Sequence, residues 1–203
     1  AEQGAGELPS ISRENSERFW HWVYGEILGQ LDAPEGLRSE IGRRFYERFS
    51  ALETWRLFPD ALPALEEVGR RRREQGLILG VVSNWEDWLE TLLAQLEIQH
   101  YFDFFVVSAG VRSEKPDPAI FRAALERAQT RPEETIHVGD SLHADVGGAR
   151  ACGITPVLLD RRGRYSPEQT AGASIIRSLA ELPALLDDLD DRSGDRAENR
   201  GAG

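Results

Sequence analysis

Three short stretches of this 203-residue chain carry side chains suited to chemistry. Ser83-Asn84 follows an apolar run, Lys115 lies in Ser113-Glu114-Lys115-Pro116-Asp117-Pro118, and Gly139-Asp140-Ser141 is followed by Asp145. Lys115 is the only lysine, and every other residue of its charge is an arginine. The chain therefore meets its general need for positive charge without lysine. An ammonium is a compact point charge on a flexible stem, suited to a phosphoryl or carboxylate oxygen in a way that a planar guanidinium is not. Asp140 and Asp145 supply hard oxygen donors for a cation such as magnesium, while the Ser83 hydroxyl, nearby backbone N–H groups and Lys115 suit the oxygens of a phosphate. Each residue also has a plainer use. Ser83, Asn84, Asp140 and Ser141 are good caps for the helices that follow them, and Asp145 fits a solvated helix position.

The elements that must position these groups follow from the hydrophobic pattern. Phe19, Trp20, Val23, Ile27 and Leu28 at helical spacing predict a helix over Ser16 to Leu31 with Ser16 as its cap, and Ile41, Phe45, Tyr46 and Phe49 predict a second over Leu37 to Phe49. From Pro59 the texture changes to helix Ala61 to Arg73, strand Leu77 to Val82, helix Trp85 to Leu96, strand Phe104 to Val107, helix Pro118 to Ala128, strand Thr135 to Val138, helix Leu142 to Ala151 and strand Thr155 to Leu159. Strands apolar throughout, alternating with amphipathic helices, predict an α/β fold with a doubly wound parallel sheet. A last helix is expected over Leu179 to Leu189. The resulting division is a flexible N-terminus over 1–15, a small helical domain over 16–58, an α/β core over 59–190 and a disordered tail over 191–203. In such folds ligands bind outside the carboxyl ends of the strands, where Ser83, Asp140 and, a few residues on from its strand, Lys115 all fall.

Composition narrows the partners. A formal net charge of -11 argues against nucleic acid, whose phosphates would be repelled by most of the surface. The one basic run, Arg70 to Arg73, precedes Gln75-Gly76 and is expected to be a solvated last helical turn. No apolar run is long enough to span a bilayer and no signal-peptide pattern opens the chain, so the expected location is the cytoplasm, without a membrane partner. A single cysteine, Cys152, excludes an internal disulfide and a multi-cysteine metal site. Oligomeric state has no signature in the sequence.

Together the three stretches resemble the haloacid dehalogenase-like (HAD) hydrolase superfamily. Val81-Val82-Ser83-Asn84 looks like its second motif, Lys115 in Glu-Lys-Pro-Asp-Pro like its third, and His137 to Asp145 like its fourth, while Phe58-Pro59-Asp60 resembles the return from a small helical cap to a Rossmannoid core. The resemblance implies a phosphatase-type hydrolase acting on a small phosphorylated metabolite with Mg2+. It assigns Ser83 and Lys115 to the transferred phosphoryl group, Asn84 and Trp85 to the substrate side, and Asp140 to the metal, with Asp145 as ligand or support. Trp20, His21, Trp22 and Tyr24 are read as cap core ahead of substrate contacts, and His137 as a core histidine with a satisfied partner.

One departure is large. The family's first motif, an apolar strand ending in Asp-x-Asp with the attacking aspartate, has no counterpart ahead of the helical region. That strand is central to the family's sheet, so the expectation is a chain without its nucleophile, poorly folded alone, with two apolar strand edges left open. The absence of any methionine makes N-terminal truncation the first explanation, followed by a degenerate non-catalytic relative and by replacement of the strand. Two other functions stay open: a non-catalytic phosphate-binding or regulatory protein, and a 2-haloacid dehalogenase-type hydrolase. Paired acids in the fourth motif favour a cation and therefore the phosphatase.

Overall fold

The computed structural model describes residues 8–189, and the expected tail over 191–203 lies outside them. The chain divides into two compact units, one of Ala1–Arg56 with Leu79–Arg131 and one of Leu57–Ile78 with Pro132–Gly203.

The first unit opens with helices α1 (Arg13–Gly29) and α2 (Glu35–Ser50), packed along each other. Helix α1 starts three residues before the predicted Ser16, because Ser12 rather than Ser16 caps it: the Ser12 hydroxyl accepts the Asn15 N–H at 3.1 Å. Ser16 is then free to be buried inside the first turn. Tyr24 stacks on Phe45 with ring centroids 4.2 Å apart and on Trp20 at 5.8 Å, so two members of the aromatic set bind the hairpin together while Trp22 stays 60% exposed.

The same unit continues with β1 (Gly80–Ser83), α4 (Leu89–Gln95), β2 (Phe104–Val107), the single turn α5 (Ser108–Val111) and α6 (Pro118–Ala128). Strands β1 and β2 pair in parallel from Gly80 opposite Phe104 to Ser83 opposite Val107. Helix α6 has the predicted bounds: Pro118 fixes its first position, the Asp117 carboxylate accepts the Ala119 N–H at 2.8 Å, and Ile120 and Phe121 are buried on the face that covers β1 and β2. Helix α4 begins at Leu89, four residues after the predicted Trp85. The Ser108 hydroxyl accepts the Trp85 N–H and donates to the Trp85 carbonyl, both at 2.9 Å, which takes up the backbone groups a helical start would use. The Trp85 and Trp88 rings pack edge to face at 5.2 Å, with Phe49 and Trp55 against them. Between them Glu86, 2% exposed, accepts the Tyr46 hydroxyl at 2.8 Å. Burial, together with that hydrogen bond and the Glu86 charge, pushes the Tyr46 hydroxyl well above the usual tyrosine range.

The second unit holds α3 (Ala61–Gln75), β3 (Ile136–Gly139), α7 (Gly148–Ala151), β4 (Thr155–Leu159), β5 (Ser174–Ile176) and a final helix over 182–189. Its parallel sheet runs β3-β4-β5, with Gly139 opposite Leu158 and Leu158 opposite Ile175. Leu158 is buried with Val146 and Ala173, and Leu142, Tyr165 and Ile175 pack around them. The segment Leu142–Gly147, expected as ordinary α-helix, is a π-helical turn in which the Asp145 and Val146 N–H groups both donate to the Ser141 carbonyl, at 3.0 and 3.1 Å. Strand β5 is absent from the sequence reading because three residues beginning with Ser174 make no apolar run.

Arg71 corrects the reading of the basic run. It is 6% exposed rather than solvated, and its guanidinium grips the Asp187 carboxylate as a fork at 2.6 and 3.0 Å while also reaching Glu67. Gly76, at φ +73, ends α3 in the left-handed conformation that favours glycine.

The architecture is thus α/β with parallel strands, as expected. Among the described residues β1 pairs only with β2 and β3 only with β4, so each keeps one unpaired side, and all four residues of either strand are only partly buried. No helix among the described residues is long and apolar enough to cross a membrane.

A turn after β4 is built on Asp160, which is fully buried. Burial opposes its charge, but the backbone N–H groups of Arg164 and Tyr165 and the Arg177 guanidinium outweigh it and hold the carboxyl at about 2 against an ordinary 3.8. Asp60 is held low in the same way, chiefly by Arg161 against the cost of burial, with Ser178 and the Leu179 N–H also donating to it. A carboxyl lowered by folding stabilises the fold fully above its unfolded value, and that stabilisation is lost as pH falls through the folded value. Thermal melts should therefore be level above about pH 5 and fall steeply between about pH 4 and 2. A melting temperature independent of pH in that window would contradict this account of Asp160.

Candidate functional site

In the first unit, Ser83 ends β1 and Asn84 follows it. The Lys115 ammonium donates to the Val82 carbonyl at 2.9 Å, which places the chain's one lysine beside the strand end that carries Ser83. Asn84 holds the Lys115 backbone with both ends of its amide: it accepts the Lys115 N–H at 2.6 Å and donates to the Lys115 carbonyl at 2.9 Å. The residue expected on the substrate side thus spends its amide on fixing the lysine, whose peptide to Pro116 is cis. Trp85 lies in the aromatic cluster, and its indole nitrogen is buried without a hydrogen-bond partner among the described residues.

A second tier of contacts around this corner has no signal in the sequence. Ser10 donates its hydroxyl to Glu114 at 2.7 Å and its N–H to the same carboxylate oxygen, and its hydroxyl meets that of Ser108 at 2.6 Å. Ser108, fully buried, in turn clasps both backbone groups of Trp85. The segment around Ser10 is therefore tied to the loop that carries Lys115 and to the turn that follows Ser83. Nothing in residue type or spacing joins Ser10 to positions about a hundred residues away.

In the second unit, β3 ends in Gly139 and delivers Asp140 and Ser141. Asp140 is exposed, and its carboxylate has no partner among the described residues. Asp145 is 3% exposed and turned inward: one oxygen meets His137 Nε2 at 2.9 Å and the other accepts the Ser141 N–H at 2.9 Å. Its carboxyl lies directly over Gly139, where a Cβ would fall 2.1 Å from the Asp145 Cγ, so the position has room only for glycine. His137 is the core histidine expected, and Asp145 is the partner that satisfies it. The Ser141 hydroxyl accepts the Ala144 N–H at 3.0 Å and caps the π-helical turn.

The two acids of the fourth stretch therefore differ in kind. Asp140 has free lone pairs facing solvent, whereas Asp145 has both oxygens engaged and fixes the turn that presents Asp140. No group of three or more His, Cys, Asp or Glu side chains among the described residues is arranged to hold a metal ion. A zinc site, which needs three or four such ligands, does not fit. Magnesium fits better, since it binds through one or two carboxylates, keeps several waters and takes its remaining ligands from phosphate oxygens. Asp140 would be the side chain that holds it.

A serine hydroxyl and an ammonium at one strand end, and a free carboxylate at another, are the parts expected for binding an anionic oxygen and a hard cation. Comparison with known proteins identifies the family. The sequence model of the haloacid dehalogenase-like hydrolase family matches residues 3–159. A haloacid dehalogenase-like hydrolase domain-containing protein 3 from Mus musculus is 41% identical over 182 residues, which span 86% of this chain and 70% of that protein. A glyceraldehyde 3-phosphate phosphatase from Methanopyrus kandleri is 38% identical over 114 residues, 53% of this chain and 45% of that protein. The crystal structure of a HAD phosphatase from Thermococcus onnurineus superposes with a TM-score of 0.64 at 25% identity, covering 83% of this chain and 88% of that one. The chain belongs to the haloacid dehalogenase-like hydrolase family.

Proposed function

We propose that this hydrolase is of the phosphatase type and acts on a small phosphorylated metabolite with magnesium. Ser83 and Lys115 take the phosphoryl oxygens, Asn84 positions Lys115, and Asp140 carries the metal while Asp145 holds the turn beneath it. Magnesium bound at Asp140 would supply charge neutralisation at the phosphoryl group. The observation that carries the reading is the fixing of the sole lysine beside the Ser83 strand end, by Asn84 through its backbone and by the Val82 carbonyl through its ammonium. Names of relatives support the class: the Methanopyrus kandleri relative is a phosphatase of a small phosphate ester, and the Thermococcus onnurineus structure is a HAD phosphatase. For phosphatases of this family the resemblance implies an aspartyl phosphate intermediate, and we assign the attacking carboxylate to no residue among those described.

The test is hydrolysis of an aryl phosphate with magnesium and with a chelator, run on this chain and on the longest product of its reading frame. Magnesium-dependent phosphate release supports the proposal. Metal-independent turnover, or halide release from a 2-haloacid, moves the protein to the dehalogenase class. Phosphate binding without turnover by either product would favour the second reading, a non-catalytic phosphate-binding protein that keeps Ser83 and Lys115.

A further inference from the structure

The turn after β4 concentrates positive charge in a chain whose net charge is -11. Arg161, Arg162 and Arg164 fall within four positions, and Arg177 joins them through Asp160. The turn is rigidly made. Gly163, at φ +66, donates to the Asp160 carbonyl at 3.2 Å, the Tyr165 N–H donates to the Asp160 carboxylate at 2.9 Å, and Arg177 donates to both the carbonyl and the carboxylate of Asp160. Two of the four guanidinium groups are thereby occupied: Arg177 by Asp160, and Arg161 by Asp60 at 2.7 Å and by the face of Phe58, 4.3 Å from the ring centroid.

The other two are more open. Arg162 is exposed and has no partner among the described residues. Arg164 is 52% exposed, forms only a long ion pair with Asp160 at 3.9 Å, beyond hydrogen-bond reach, and rests over the Tyr165 ring. Two acids, Asp60 and Asp160, thus face four arginines, and the surplus sits on Arg162 and Arg164. Its place in the fold gives it meaning. Gly139 pairs with Leu158, so Asp140 and the start of the turn leave the same end of neighbouring parallel strands, about 4.8 Å apart. That is the end at which ligands of parallel α/β sheets bind. A carboxylate read as holding a cation, with two exposed guanidinium groups on the turn that leaves the neighbouring strand at the same end, suits a ligand with one anionic group on the metal and a second beyond it.

We propose that Arg162 and Arg164 recognise a second anionic group, so that the preferred substrates are small phosphomonoesters that also carry a carboxylate or a further phosphate. The inference rests on the reading of Asp140 as the magnesium and phosphate side of the site. Its test uses the whole chain with magnesium and measures equilibrium binding, which needs no turnover. Glycerol 3-phosphate and 3-phosphoglycerate are titrated by calorimetry into the wild type and into Arg162→Gln/Arg164→Gln. The expected result is tighter binding of 3-phosphoglycerate by the wild type, an excess of about tenfold that disappears in the double variant while glycerol 3-phosphate is bound as before. Both positions are exposed, so the variant should fold, and Arg162→Glu/Arg164→Glu should invert the preference. Equal wild-type affinities, or a preference that survives the double variant, would overturn the inference and leave the phosphatase reading in place. If neither ester binds the wild type, that reading fails and this inference goes with it.

Discussion

Replacing Gly139 with alanine is expected to lower stability by about 3 kcal/mol or more, larger than a surface change or an ordinary glycine replacement in a strand would cause. The added Cβ would lie 2.1 Å from Cγ and 2.6 Å from Cβ of Asp145, well inside contact distance, and neither atom is a flexible tip that can swing aside. Asp145 is buried against His137 and the Ser141 N–H, so displacing it breaks two hydrogen bonds to a charged group and leaves their partners facing an emptied site. Overpacking contributes about 1–3 kcal/mol and each lost hydrogen bond to a buried carboxylate about 1–3 more, with partial relaxation offsetting some of the total. Urea unfolding should show a midpoint shifted far down with little change in slope. A loss below about 0.5 kcal/mol would mean that Asp145 does not occupy the space over Gly139.

Removing the amide of Asn84 should have the second large effect, this time on binding. Asn84→Ala deletes both contacts that fix the Lys115 backbone, at 2.6 and 2.9 Å, while the Ser10–Glu114 and Lys115–Val82 contacts of that loop remain. Phosphate affinity is expected to fall about 10- to 100-fold, in line with two hydrogen bonds that act through the placement of a charge. Asn84→Asp keeps the acceptor for the Lys115 N–H but loses the donor to its carbonyl, and should fall between alanine and wild type. Affinity unchanged in Asn84→Ala, with the fold intact by circular dichroism, would remove Asn84 from the site.

How far the sequence could be read depended on whether the controlling interaction was local. Helix α6 is bounded by Pro118 and the Asp117 cap, both local, and strand β2 is an uninterrupted apolar run, so both have their predicted limits. The start of α4 was hidden because Ser108, more than twenty residues on, takes the backbone of Trp85. The different fates of Asp140 and Asp145 were equally hidden. Both are acids after an apolar strand, and only the π-helical turn that points Asp145 back over Gly139 separates a free carboxylate from a structural one. Arg71 looked like one of four solvated arginines until Asp187 faced it. The motif residues were legible because types and order carried them, while Ser10, Ser108 and Glu114 act through contacts between distant segments that no spacing predicts.

The account stands on Lys115 as the charge that binds a phosphoryl group, and one titration addresses it most directly. Inorganic phosphate is titrated by calorimetry, in the presence of magnesium, into the wild-type chain and into Lys115→Gln. Saturable binding by the wild type, weakened at least about tenfold in the variant, is the predicted result for the loss of one charged contact to an anion. Equal affinity in the two proteins, or no binding by the folded wild type, would contradict it.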